Sequence, residues 1–170
     1  ALVKPGDTVA NGGSQTLKEC GIVEFLARGD FNYLNPTRDM SAEEKKELKR
    51  KRFFADDFFL SANAVTIDGR IFQEDGASTR VAPMIYGPDN VIIIIGKNKI
   101  VDTEGQAKAR IKKVAPQNCA KAGFDTPCAI DGRCHDCRVP ARSCCTSVTL
   151  NYSRIPDRIK VIIVNEDLGI

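Results

Sequence analysis

A cluster of cysteines near residue 130 combines residue types and spacing that suit metal chemistry. Six of the seven cysteines in the chain lie within residues 119–145. Four of them follow the pattern C-x5-C-x2-C-x6-C, namely Cys128, Cys134, Cys137 and Cys144. Two thiolates separated by two residues bind one ion from a single turn, and two more complete a tetrahedral shell. The spacing therefore predicts a site for zinc or an iron–sulphur cluster on these four residues, with Cys119 and Cys145 outside it.

Two other interpretations of this segment stay open. The cysteines can be free thiols on a loop packed against the sheet, or Cys134 and Cys137 can form a thiol–disulfide pair. Charged residues leave little apolar surface to order the segment: Asp131, Arg133, Asp136, Arg138 and Arg142. A bound metal would supply that order. His135 lies between two candidate ligands, where its side chain points away from a shared ion, so we predict a surface histidine.

A glycine loop near the beginning of the chain is a second candidate for chemistry. The stretch VANGGSQT, residues 9–16, places two glycines and two hydroxyl residues between an apolar run and a helical pattern. Backbone amides at such a turn can hold an anion, because glycine has no Cβ to keep the anion away. We therefore predict that Gly12, Gly13 and Ser14 bind an anion. The alternative is a tight turn in which Ser14 caps the helix.

Alternating strand and helix patterns must position these residues. Short apolar runs predict strands at residues 8–10, 31–34, 58–60, 91–95, 147–152 and 159–164. Asp68 and Gly69 stand between β-forming residues, which predicts a hairpin. Helices are predicted after Ser14, from the capping box of Ser41 and Glu44, and over residues 77–85 and 104–114. Apolar strands that alternate with helices indicate an α/β fold with a mostly parallel sheet.

Size, charge and composition exclude several classes of protein. The chain has 170 residues, which predicts a single domain over residues 1–170 with a cysteine-rich insertion at 119–145. A net charge of +3 argues against nucleic-acid binding, and the basic run at 49–52 is interpreted as a solvated helix face. The longest apolar run, residues 91–95, is too short for a membrane span. Clustered cysteines in odd number and no visible signal peptide predict a cytoplasmic protein.

The sequence resembles a known family over nearly its whole length. The matching residues are Gly12, Gly13 and Ser14 with Thr16, SANAVTIDG (61–69), DGASTRVAPMIYGP (75–88), NKIV (98–101), TPCAIDGRCHDC (126–137) and RIKVIIVNEDLG (158–169). On these motifs the chain resembles the LUD-domain family of lactate-utilisation proteins, of the LutC/YkgG type. The resemblance implies a three-layer α/β/α sandwich of the NagB/RpiA/CoA-transferase-like class. It also implies a leading helix before Ala1.

The same resemblance implies a ligand cleft at the carboxyl ends of the strands. The residues expected to bind a ligand there are Gly12, Gly13, Ser14, Thr16, Asn63, Asp75, Gly76, Arg80, Asn98 and Lys99. Arg80 and Lys99 are suited to a phosphate or carboxylate, although Arg80 can instead pair structurally with Asp75. Asn63 and Asn98 can equally belong to turns. Catalytic candidates are Glu74, which stands near the position of a CoA-transferase nucleophile, with Asp75 and Lys99.

Two functions of different classes follow from the resemblance. The first is an accessory component of L-lactate oxidation that works with iron–sulphur partner subunits. The second is a stand-alone enzyme that acts on a phosphorylated or CoA-linked substrate. An open polar triad of Asp75, Arg80 and Lys99 would favour the enzyme, whereas exposed apolar residues near the cysteine segment would favour partner binding.

Overall fold

Strands and helices alternate along most of the chain. The computed structural model describes residues 2–170, and the expected helix before Ala1 lies outside them. The strands are β1 (Thr8–Asn11), β2 (Asn32–Tyr33), β3 (Asp57–Leu60), β4 (Ala64–Thr66), β5 (Ile71–Asp75), β6 (Asn90–Gly96), β7 (Ile100–Val101), β8 (Thr146–Leu150) and β9 (Ile159–Val164). The α-helices are α1 (Gln15–Glu19), α2 (Ile22–Arg28), α3 (Ala42–Lys51), α4 (Val81–Ile85), α5 (Glu104–Lys121) and α6 (Pro127–Asp131).

The main sheet has five strands, all parallel, in the order β2-β1-β3-β6-β9. Its central strand β3 is buried along its whole length, and six of the seven residues of β6 are buried. Apolar strands without period-2 alternation are typical of a sheet that is covered on both faces. The carboxyl ends of β1, β3 and β6 meet at one edge, so the loops that follow them lie close together.

A second sheet of four strands has the order β7-β4-β5-β8. The predicted hairpin connects β4 to β5, where Gly69 adopts a φ of +87° and its amide donates to Thr66 O at 2.8 Å. The antiparallel pairing of β5 with β8 runs from Ile71 opposite Leu150 to Asp75 opposite Thr146. Apart from this hairpin, the sheet was not expected from the sequence, because its other pairs, β4 with β7 and β5 with β8, join segments that lie far apart along the chain.

Two apolar clusters cover the two faces of the main sheet. On one face α1 and α2 bury Leu17 and Leu26 against Phe59, Ile92 and Ile94. On the other face α4 and the second sheet bury Met84 and Ile71 against Phe58, Ile93 and Ile95. Helix α5 packs outside the second sheet through Ala107 and Ile111. The expected α/β class with a mostly parallel central sheet is confirmed.

Several helices differ in extent from the predictions. The helix after Ser14 is divided in two at Gly21, which has a φ of +69°. The capping box of Ser41 and Glu44 is present, with both reciprocal bonds formed. The helix predicted for residues 77–85 begins only at Val81, and α5 continues through Pro116 to Lys121, so that Cys119 is helical. No helix within residues 2–170 is both long and apolar enough to cross a bilayer.

Candidate functional site

A cleft of about 410 Å³ opens at the carboxyl edge of the main sheet. Its floor comes from the loops after β1 and β3, one wall from β5, and the opposite wall from the last turns of α5. Polar residues that line it are Gly13, Ser14, Gln15, Thr16, Ser61, Asn63, Gln73, Glu74, Arg80, Lys99, Asn118, Ser143 and Cys144. The cleft therefore lies where open α/β sheets bind ligands.

Lys99 lies at the base of this cleft and is only 5% exposed. Its Nζ donates to Thr16 Oγ1 at 2.7 Å and to Ser61 Oγ at 3.0 Å. Both acceptors are neutral hydroxyls, and no carboxylate within residues 2–170 lies at ion-pair distance from Nζ. An ammonium group has three N–H donors, so one of them is left for a ligand.

Burial and neighbouring cations lower the pKa of Lys99. Burial, together with the positive charges of Arg110 and Arg80, lowers the pKa of Lys99 from 10.5 to about 8, while the negative charge of Glu19 opposes the shift. Arg110 is itself without a carboxylate partner among the described residues, since its guanidinium donates to Asn98 O at 3.0 Å and to Asn63 O at 2.5 Å. Near the base of the cleft, Lys99 and Arg110 are therefore two cations for which the described residues supply no carboxylate at ion-pair distance.

Gln73 adds an unused donor to the same cleft. Its side chain is 1% exposed, and its Oε1 accepts from the Asn63 amide at 3.0 Å. That bond fixes the orientation of the amide group, so that Nε2 is the buried nitrogen without a partner among residues 2–170. A buried donor with no acceptor costs roughly 1–3 kcal/mol. A ligand oxygen would remove that cost.

The structure brings most of the predicted ligand-binding residues to the cleft. Six of the ten line it, namely Gly13, Ser14, Thr16, Asn63, Arg80 and Lys99, and the catalytic candidate Glu74 lines it as well. The remaining four do not line it: Gly12, Asp75, Gly76 and Asn98. Ser14 also caps α1 by accepting from the Leu17 amide at 3.3 Å, so the capping alternative holds for its side chain.

Asp75 supports α4 instead of facing the ligand. Its Oδ2 accepts from the amides of Arg80 and Val81 at 2.8 and 3.2 Å, and its Oδ1 accepts from Gly76 at 2.8 Å. The Arg80 guanidinium lies 3.5 Å from the same carboxylate. The alternative of a structural Arg80–Asp75 pair is therefore present in the fold. Gly76 packs against the cysteine segment, because a Cβ there would lie 3.0 Å from Ser143 O.

Gly12 and Asn98 also act from outside the cleft. The Gly12 amide, predicted to hold an anion, donates to Phe59 O at 2.8 Å and is already used in the sheet. Glycine is required there for space, because a Cβ would lie 2.8 Å from Cγ of Arg80. Asn98 holds the end of the chain, since its Oδ1 accepts from the Leu168 amide at 3.2 Å.

Several residues of the site were not identified from the sequence. Ser61 lies in the family motif SANAVTIDG (61–69) but was not singled out, and Gln73 and Arg110 belong to no motif. The roles of all three depend on how the two sheets meet. Gly169 has a φ of +68°, and a Cβ there would lie 3.1 Å from Nζ of Lys99, so the end of the chain passes directly over the lysine. The only sequence signal for the contact between Gly169 and Lys99 was the family motif at residues 158–169, which includes Gly169.

The four cysteines predicted to bind metal lie around one small cavity beside the cleft. Cys128 is buried on α6, Cys134 is exposed, and Cys137 and Cys144 are half-buried. Within residues 2–170 no group of three or more His, Cys, Asp or Glu side chains is already arranged to hold a metal ion. His135 is exposed, as predicted for a surface histidine, and its Nε2 lies 2.9 Å from Asp131 Oδ2.

Sequence comparison identifies the family. The sequence model of the LUD domain matches residues 1–164. The chain belongs to the LUD domain family. The LUD domain is associated with lactate utilisation. The match confirms the resemblance found in the motifs. No curated protein is significantly similar to the chain.

Solved structures with similarity to this LUD domain include three proteins. A DUF162 family protein from Deinococcus radiodurans has 14% identity and a TM-score of 0.43, with 94% of this chain and 88% of that chain covered. Chaetomium thermophilum eIF2B beta has 18% identity and a TM-score of 0.40 over 61% of this chain and 40% of that chain. The eIF2B delta subunit of the same organism has 20% identity and a TM-score of 0.39 over 62% of this chain and 46% of that chain. The LUD domain thus spans less than half of either eIF2B subunit.

The arrangement of the cleft suits the binding of an anion and the transfer of a proton. The positive charge of Lys99, the free Gln73 Nε2 and the Arg80 guanidinium at the rim can all attract ligand oxygens. A lysine whose pKa is about 8 also exchanges its proton near neutral pH. Glu74, the carboxylate in the wall, accepts from Ser147 Oγ at 2.5 Å.

Proposed function

We propose that this LUD domain binds a small organic anion of the size of lactate or pyruvate, as an accessory component of L-lactate oxidation beside iron–sulphur partner subunits. One observation carries the proposal: Lys99 is a buried cation that faces a cleft and has no carboxylate partner among the described residues. A buried charge is costly unless an opposite charge pairs with it. The bound anion would supply that charge.

A carboxylate ligand fits the donors that the cleft offers. The third N–H of Lys99 and the unpartnered Nε2 of Gln73 provide two hydrogen bonds, and Arg80 lies at the rim. Hydrogen bonds to a charged acceptor are about twice as strong as neutral ones. A volume of about 410 Å³ lies at the small end of known ligand pockets.

An accessory role is better supported than a stand-alone enzyme. The open triad of Asp75, Arg80 and Lys99 that would favour an enzyme is not assembled, because Asp75 is occupied by the amides of α4. Two apolar side chains beside the cysteine segment are exposed, Phe124 at 48% and Ile130 at 83%. Exposed apolar residues near the cysteines are the feature that would favour partner binding over a stand-alone enzyme, provided that they form one contiguous patch.

Calorimetric titration tests the anion site. L-lactate, pyruvate and inorganic phosphate are each titrated into the wild type, Lys99→Met and Lys97→Met. We expect one molecule of a carboxylate to bind per chain, with affinity lost in Lys99→Met and kept in Lys97→Met, since Lys97 is exposed two residues away. Equal affinity of the two variants, or no binding of any of the three anions, would reject the site.

Reconstituted L-lactate oxidation tests the accessory role. The domain is combined with the iron–sulphur subunits, and the rate is measured with wild type, Lys99→Met and Lys97→Met. We expect the rate to depend on the domain and to fall only with Lys99→Met. Turnover of a sugar phosphate or a CoA ester by the isolated domain would establish the stand-alone enzyme in its place.

A further inference from the structure

The cysteine segment encloses a second, smaller cavity of about 40 Å³ next to the cleft. Five of the seven cysteines line it, together with His135: Cys119, Cys128, Cys134, Cys137 and Cys144. Cys119 and Cys144 also line the anion cleft, so the small cavity shares a wall with it. Thiols concentrated at one point of a fold are typical of a site for a soft cation.

Helices fix two of these thiols, and a loop carries the others. Cys119 on α5 and Cys128 on α6 are 3% and 7% exposed, and their side chains are hydrogen-bonded to each other. Cys134 and Cys144 belong to the stretch between α6 and β8, which has no helix or strand. Two ligands on helices and two on a segment without helix or strand allow a shell to close around an ion that enters.

Both charge and protonation suit metal binding at this place. A coordinating metal ion removes the proton of each thiol that binds it. Arg142 lines the cavity and donates to the carbonyls of Cys137 and Cys144, which places a guanidinium beside the negative charge of a thiolate shell.

The size of the cavity distinguishes a single ion from a cluster. The cavity of about 40 Å³ is small, which favours one ion over a cluster of several iron and sulphide ions. We infer that the sulphurs of Cys119, Cys128, Cys134 and Cys144 bind one zinc-class divalent cation, and that the loop moves inward as they do. Four thiols lose four protons to solvent in this reaction, and the ion and the four thiolates carry a net charge of −2.

This ligand set differs from the one that the spacing predicts. Cys119, which the spacing leaves outside, replaces Cys137, because Cys119 is hydrogen-bonded to Cys128. Cys137 is a neighbour whose carbonyl is held by Arg142. The two sets therefore differ in one cysteine each, and single substitutions distinguish them.

The test uses the whole reduced, metal-free chain, titrated with Co²⁺ as a spectroscopic probe and then with Zn²⁺. We expect one ion per chain, four sulphurs at about 2.3 Å by X-ray absorption, and d–d bands of tetrahedral geometry. Cys119→Ser should weaken Zn²⁺ binding by about 100-fold, whereas Cys137→Ser, Cys20→Ser and Cys145→Ser should change it by less than about threefold. Circular dichroism of each metal-free variant monitors the fold.

Three other outcomes would overturn the inference, and one further outcome would support it. Loss of binding in Cys137→Ser but not in Cys119→Ser would establish the ligand set predicted from the spacing. Four sulphurs that persist around Zn²⁺ in Cys137→Ser support the inference even if Cys119→Ser does not fold. A visible iron–sulphur spectrum after anaerobic reconstitution with iron and sulphide would replace the single ion with a cluster. Failure to bind Zn²⁺, with a Cys119–Cys128 disulfide formed in air, would establish a redox pair.

Discussion

Each edge of the main sheet buries one charged side chain, but the two side chains differ in their hydrogen-bond partners and in their access to a cleft. At the carboxyl edge Lys99 has two hydroxyl acceptors and faces a cleft. At the amino edge Asp57 is fully buried, its two oxygens have no hydrogen-bond partner of good geometry within residues 2–170, and it lines none of the cavities described above. Both charges are costly, but only one of them is accessible to a compensating ligand.

The difference shows how a perturbed pKa should be interpreted. Burial and the neighbouring Asp7 raise the pKa of Asp57 from 3.8 to about 6, a shift comparable in size to that of Lys99. A strong shift is therefore not by itself a mark of function, because structural groups show it too. The cleft and the unpaired donors around Lys99 are what make Lys99, and not Asp57, the candidate for a functional group.

The largest expected effect is stabilisation of the carboxyl edge by its ligand. An anion at 100 times its dissociation constant should raise the free energy of unfolding of the wild type by about 2.7 kcal/mol. Lys99→Met should show no such gain, because the charge that holds the anion is absent. Urea unfolding with and without the anion measures both values, and Lys97→Met serves as the control. If the anion raised the free energy of unfolding of Lys99→Met as much as that of the wild type, Lys99 would not be the group that binds it.

Removal of the charge at the amino edge should stabilise the protein without any ligand. Since Asp57 holds its proton more strongly in the folded chain than in the unfolded one, the free energy of unfolding falls as the pH rises from about 4 through about 6. Asp57→Asn should therefore raise it by about 2 kcal/mol at pH 7 and leave it nearly unchanged at pH 4.

Asp56→Asn is the matched control for this prediction. Asp56 lies next to Asp57, but its Oδ2 accepts from the Thr8 amide at 2.6 Å, so its loss should not stabilise the fold. Chemical denaturation at the two pH values measures both variants. A destabilised Asp57→Asn at pH 7 would show that this carboxylate has a partner which compensates its charge.

The pH dependence of anion binding sharpens the assignment at the carboxyl edge. The anion binds the charged form of Lys99, whose pKa is about 8, so the affinity should be constant below that pH and fall above it. The expected decrease approaches tenfold for each further pH unit. Calorimetry from pH 6.5 to about 9.5 measures it. An affinity that stays constant over this range would assign the anion to Arg80, which keeps its charge.

The smallest expected effect comes from Gly12. In Gly12→Ala the new Cβ would lie 2.8 Å from Cγ of Arg80, so the arginine must move at the rim of the cleft. We expect anion affinity to fall by about threefold and thermal stability to change little. Gly13→Ala is the control, because a Cβ there meets no atom within 4 Å. Equal effects of the two substitutions on anion affinity would show that Arg80 does not contribute to anion binding.

The sequence predicted those elements whose signals are local. The strands β3, β6 and β9, the Asp68–Gly69 hairpin and the capping box at Ser41 depend on neighbouring residues, and all are present. The second sheet was missed, because β5 pairs with β8 across the whole cysteine segment. Pairing over such distances depends on packing, which residue patterns do not contain.

The candidate site was predicted in part for the same reason. Lys99 lies three residues after the end of β6 and Thr16 lies five residues after the end of β1, so sequence order and the family motifs place both near the carboxyl edge. Gln73 and Ser61 were missed because their burial depends on how the two sheets meet. Asp75 was expected at the ligand, but α4 begins four residues later than predicted and its first amides engage the carboxylate.

The position of β9 has a consequence for how the chain reaches its fold. The chain leaves β6 at Gly96 and forms α5, α6 and β8 before Ile159 returns to pair beside Val91. Closing so long a loop has an entropic cost before any contact repays it, so this step should be slow. During synthesis β6 leaves the ribosome well before β9, and until then one edge of its apolar residues is unpaired. That interval is the one in which the newly made chain is most exposed to aggregation.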